Sequence, residues 1–103
     1  MEALQPSVGT TLKILVHFEV EGKTMDDCDF KCEFYGRNQK SVVKTKEEHL
    51  RIDEHNYVAI IDTREVGTGS IKCKLSVGVP DADCPNGIRK EVVRVPANVN
   101  VLE

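Results

Sequence analysis

DDCDFKCEFYG, residues 26–36, holds two of the chain's four cysteines, Cys28 and Cys32, four positions apart. Such a pair could be half of a metal site, part of a disulfide framework or ordinary packing, and each option implies a different kind of fold. The alternation around the cysteines decides between them. With a period of two, Cys28, Phe30, Cys32 and Phe34 fall on one face, and Asp29, Lys31, Glu33 and Tyr35 on the other. This is the pattern of a half-buried β-strand, along which residues four apart lie roughly 13 Å from each other at about 3.3 Å per residue. That is too far for a mutual disulfide or a shared tetrahedral metal. The cysteines therefore read as small apolar core residues. A cross-strand disulfide of Cys28 or Cys32 with Cys73 would need an oxidising compartment. Zinc is disfavoured because CxxxC with isolated Cys73 and Cys84 lacks the paired short spacings of zinc modules.

Working outward, LKILVHFEVEG places Leu12, Ile14, Val16, Phe18 and Val20 on one face, and Gly22 supplies the turn that follows. Residues 41–44 form a short run around Val42 and Val43 whose lysines suit an exposed edge strand. Thr45 and Glu48 have the spacing of a capping box, but only Leu50 and Ile52 follow with apolar periodicity, so a turn or brief strand is expected there. NYVAIID is apolar on both faces and reads as a central strand. After a glycine-punctuated loop with a helical turn near Arg64, Ile71, Cys73, Leu75, Val77 and Val79 share one face. The turn-rich stretch PDADCPNG favours a hairpin, and a return strand from Ile88 to about Val101 closes the pattern. Pro96 forces an edge position or a bulge in that strand. About seven strands and no long helix predict an all-β, immunoglobulin-like antiparallel sandwich. It would fill residues 11–101 as one domain, after a flexible segment at 1–10 and before a cloning scar at 102–103.

The function classes narrow by exclusion. Fourteen Lys and Arg stand against 17 Asp and Glu, a formal charge of -3, with both signs interspersed along the chain. No basic run marks a phosphate stripe and there is no Trp, so nucleic acid is not an expected partner. MEALQPSVGT lacks the basic and apolar regions of a secretion signal, and no apolar run is long enough to span a membrane. His17, His49 and His55 are scattered, with His17 on an outer strand face and the other two in polar connections. No strained nucleophile elbow accompanies them, so enzyme activity is not expected. Asp81, Asp83, Asn86 and Gly87 invite a calcium reading, but Pro85 and Val92 stand where further ligands of an EF-hand loop would fall. Neither a metal nor a cofactor is expected. The candidate contact loop is residues 81–89, with Asp81, Asp83, Asn86 and Arg89 as the groups that would meet a partner, ligand or glycan.

The segments LKILVHFEV, MDDCDFKCEFYG, RIDEHNYVAIIDTREVGTGSIKCKL and VPDADCPNGIRKEV resemble small bacterial proteins associated with prophage tail regions. They are also similar in pattern to the immunoglobulin-like N-terminal domains of phage baseplate proteins. The resemblance covers about residues 10–100 and rests on strand and turn patterning. It implies a structural or adaptor module bound to other proteins of an assembly or to itself. Such a module would be made in the cytoplasm and built into a phage-like particle or a surface structure. No functional residue is carried over by position.

Overall fold

A computed structural model describes residues 6–37 and 39–102. Seven strands form two antiparallel sheets: β1 (Thr11–Val16), β5 (Asn56–Asp62) and β4 (Leu50–Asp53) in one, and β3 (Ser41–Thr45), β2 (Asp29–Tyr35), β6 (Gly69–Pro80) and β7 (Ile88–Val101) in the other. The orders β1-β5-β4 and β3-β2-β6-β7 give an all-β antiparallel sandwich, with β5 central in the smaller sheet. Short 3-10 turns at Met25–Asp27, Lys46–Glu48, Thr63–Glu65 and Pro85–Gly87 complete the described chain.

The core follows from the alternation. Phe30, Cys32 and Phe34 of β2 and Ile71, Cys73, Leu75, Val77 and Val79 of β6 point inward against Ile14, Val16, Tyr57, Ala59 and Ile61 of the smaller sheet. Cys28 caps the first 3-10 turn just before β2 and is buried on the same side. The Asn-Gly hairpin forms as expected: Asn86 and Gly87 both have positive φ, 60° and 71°, and β6 and β7 pair from Pro80↔Ile88 outward.

One strand departs from the sequence pattern, and two further features add to it. β1 ends at Val16 instead of running through Val20, because the chain turns at Glu21-Gly22 with a Val20↔Lys23 bridge and then crosses to the other sheet. In β7, Pro96 opposes Lys72 while Asn100 opposes Ser70, so residues 97–99 lie opposite Ile71 alone. The slip is even, which keeps Val93, Val95 and Val101 on one face. Val101 is buried, but Val93 and Val95 are nearly half exposed, because three strands cannot cover the inner face of four. Pro6, Ser7 and Val8 are also tied to the end of β7, through a parallel Ser7↔Leu102 bridge and backbone hydrogen bonds with Leu102. Residues 1–5 and Glu103 lie outside the described residues.

Gly36, at the end of β2, marks where the β2–β3 and β5–β6 connections meet. A Cβ there would stand 2.6 Å from the Val66 carbonyl oxygen and 2.8 Å from that of Thr68, both backbone atoms that cannot swing aside. Its neighbour Arg37 donates its backbone N–H to Thr68 O at 3.0 Å. Gly36→Ala is therefore expected to destabilise the fold by about 1–3 kcal/mol, the usual range for overpacking. Urea unfolding should show the drop as a lower midpoint with the slope unchanged.

Candidate functional site

Of the residues that the sequence singles out, Asp81, Asp83 and Arg89 are brought together within one hairpin. Asp81 is occupied inside its own hairpin: its carboxylate accepts from the Asp83 backbone N–H at 3.0 Å and from Arg89 Nη1 at 3.2 Å. Asn86 takes the left-handed turn position, and Arg89 also reaches Glu91 at 3.3 Å. Among the described residues no group of three His, Cys, Asp or Glu side chains could hold a metal ion. No described helix is long and apolar enough to cross a membrane.

Cys28, Cys32 and Cys73 are buried free thiols, and Cys84 is partly exposed in the β6–β7 loop. Cys32 and Cys73 lie diagonally across the β2–β6 ladder, since Cys32 opposes Leu75 and Phe34 opposes Cys73. Their mutual hydrogen bond, with burial, pushes the Cys32 thiol upward, and burial does the same at Cys28. The same hydrogen bond lowers Cys73, but burial shields all three thiols from reagents in solution. Alkylation of the native protein should label Cys84 alone, with the other three modified only after unfolding, as peptide mapping would read out.

A polar and aromatic cluster forms at the end of the sandwich where β2 begins. Tyr57 Oη donates to Asp26 Oδ1 at 2.5 Å, and Arg51 grips the same carboxylate through Nε at 3.0 Å and Nη2 at 2.7 Å. These bonds hold the Asp26 carboxyl down to about 2. Lys46 Nζ donates to the carbonyls of Asp26 and Cys28 at 2.9 and 2.6 Å. Thr24 with Asp27 and Thr45 with Glu48 form two capping boxes, the second of which was legible from spacing. His49, expected in a polar connection, is buried instead. Its Nδ1 meets the Thr45 carbonyl oxygen at 2.7 Å, and its ring lies edge-on to Phe30 and Tyr57.

His49 Nε2 is buried without a hydrogen-bond partner among the described residues. With Nδ1 as the donor, Nε2 is a bare lone pair among rings, and protonating it would bury a cation. Burial accordingly lowers the His49 pKa, against smaller raising effects of the Thr45 carbonyl and Glu48; Lys44 adds a further lowering. The folded state thus binds this proton less well than the unfolded chain. The stability so gained is complete above the unfolded value near 6.5 and is lost as pH falls from there through the folded pKa. His49→Leu should flatten the fall of the urea midpoint just below about pH 6.5, while the fall below about pH 4 set by Asp26 and Asp62 persists.

The outer faces of the two sheets carry the remaining candidates. On the smaller sheet Leu15, Val58 and Leu50 stand side by side across all three strands, and Ile60 and Ile52 are exposed nearby. On the larger sheet the alternation gathers Lys31, Lys72, Lys74, Lys90 and Arg94 on the outside against Asp29 and Glu33, five cations to two carboxylates. A shallow groove of about 570 Å³ crosses this face, floored by Ser76 and Gly78 and lined by both signs of charge, Lys31 and Lys90 with Asp29, Glu47 and Glu91. The sequence shows charges of both signs interspersed; the fold sorts them. In comparisons with family models, with curated proteins and with solved structures, nothing matched this chain.

Proposed function

We propose that the domain is a non-enzymatic structural or adaptor module that binds other proteins of a multi-protein assembly, of the tail or baseplate kind that its sequence patterning resembles. The observation that carries this reading is the apolar row Leu15, Val58 and Leu50 on the outside of the smaller sheet, extended by Ile60. Leu15 and Leu50, each more than half exposed, flank a partly buried Val58 across three strands and make an apolar face, the kind of surface by which sandwiches stack against neighbours. The candidate loop contributes less to this reading, because the Asp81 carboxylate is already bonded within its own hairpin.

The test is cross-linking of the full chain in a lysate of the organism that encodes it, compared with a Leu15→Lys/Ile60→Lys variant whose circular dichroism matches wild type. A discrete set of cross-linked proteins, or of copies of the chain, is expected for wild type and should be lost in the variant. Identical profiles, or no specific adduct from either protein, would remove the basis for this reading.

A further inference from the structure

The eight residues 88–95 of β7 form an open sheet edge. β7 pairs with β6 along one side. On the other side, among the described residues, the first contact is the Ser7↔Leu102 bridge at the far end of the strand, with no hydrogen bond to the backbone of 88–95. In an antiparallel ladder only half of a strand's amides and carbonyls face its partner, so this stretch presents the other half over about 26 Å. Its side chains also lack cover: Ile88, Val92, Val93 and Val95 are all at least 40% exposed. Lys90 and Arg94, on the outer face, join no ion pair among the described residues, whereas Arg89, on the inner face, is engaged by Asp81 and Glu91.

These charges discriminate between occupants. A second copy joined edge to edge through β7 would be related by a two-fold axis perpendicular to the sheet, and residues of one face would meet residues of that same face. The outer face of β7 carries Lys90 and Arg94 and no acid, so its closely paired registers bring the two copies' cations together. The other edge strands offer no complement, since β1 and β3 contain no acid and β4 contains only Asp53. Nucleic acid is disfavoured by Asp29 and Glu33 among the cations and by Tyr35 as the single aromatic ring on that face.

Resting on the adaptor reading above, we infer that residues 88–95 of β7 accept an extended acidic segment of a partner protein as an added strand. Backbone hydrogen bonds supply the pairing, and carboxylates of the segment face Lys90 and Arg94. Its alternate apolar side chains pack beside Val93 and Val95. The exposed cations thus disfavour a second copy's β7 edge and admit an acidic one.

The probe is an octapeptide of alternating Glu and Val, titrated to millimolar concentration into the full chain and followed by amide chemical shifts and hydrogen exchange. Shifts and slowed exchange confined to residues 88–95 are expected. Binding should weaken roughly ten-fold in Lys90→Glu/Arg94→Glu and on raising the salt. It should vanish for wild type with a peptide whose alternate backbone amides are methylated, a result that does not depend on any variant folding.

Four results would each overturn the inference. They are no shift at millimolar peptide, equal binding of a Lys-Val peptide, dimerisation through β7 without peptide, and preference for a single-stranded oligonucleotide with shifts centred on Lys31, Lys72 and Lys74. None of these touches the apolar row of the smaller sheet, so the cross-linking comparison at Leu15 and Ile60 can succeed or fail on its own.

Discussion

The ring of Phe30 is the joint on which the sandwich depends. It stands edge-on to Phe18, His49 and Tyr57 with centroids 5.4, 5.2 and 5.0 Å away, so one side chain of the larger sheet meets the start of the crossover, the β3–β4 turn and the centre of the smaller sheet. Aromatic pairs of this geometry are each worth about 0.5–1.5 kcal/mol beyond the area they bury. The polar atoms around the cluster are arranged to let it close. Tyr57 sends its hydroxyl out to Asp26, Lys46 lies over Phe30 at 6.0 Å while donating to two carbonyls, and Met25 N–H binds the Glu54 carbonyl oxygen at 2.9 Å. His49 completes the packing at the expense of one unsatisfied nitrogen, a polar group left unpaired where its ring is needed.

From this joint the position of β7 follows. Phe30 fixes β2 over β5, and β6 and β7 then extend the larger sheet to one side, past the limit of a three-strand partner. The far edge of a four-strand layer over three must overhang, which is why Val93 and Val95 lie on the inward face and yet remain near half exposed. Ordinary sandwiches protect such an edge with lysines, prolines and bulges, and this one has Lys90, Pro96 and the slip at residues 97–99. The protection is uneven. Proline and the slip lie beyond residue 95, leaving a regular eight-residue stretch defended only by charge.

Period-two alternation was legible because it is local. It identified β2, β5, β6 and β7, placed Cys28, Cys32 and Cys73 inward, and located the Asn86-Gly87 reversal and the edge character of Ser41 and Pro96. What the alternation could not show was which strands meet. The burial of Met25 and Val66, each isolated among polar neighbours in sequence, depends on contacts from distant segments, as does the absence of room for a Cβ at Gly36. His49 looked like a solvated loop residue because its burial is imposed by Phe30 and Tyr57, 19 positions before it and 8 after it in the numbering. For the β7 edge, Pro96 was a local signal, but the overhang depends on counting the strands of the opposite sheet.

Net charge misleads for a related reason. A surplus of acids implies an acidic surface everywhere only if the acids are spread evenly, and here several of them are gathered in turns. Asp27 and Glu48 close capping boxes, Asp53 accepts from His55 N–H, Asp62 caps the Thr63–Glu65 turn and is gripped by Arg64, and Asp81 folds its own hairpin. Carboxylates suit this work because they accept backbone N–H groups at tight reversals, where lysine cannot. The strands have no such use for acids, so the cations that alternate with their core residues face solvent with only Asp29 and Glu33 among them. A chain with a formal charge of -3 thereby acquires a positive sheet face and a positive edge. An approaching partner meets that local field, since at physiological salt charges more than about 8 Å away are largely screened.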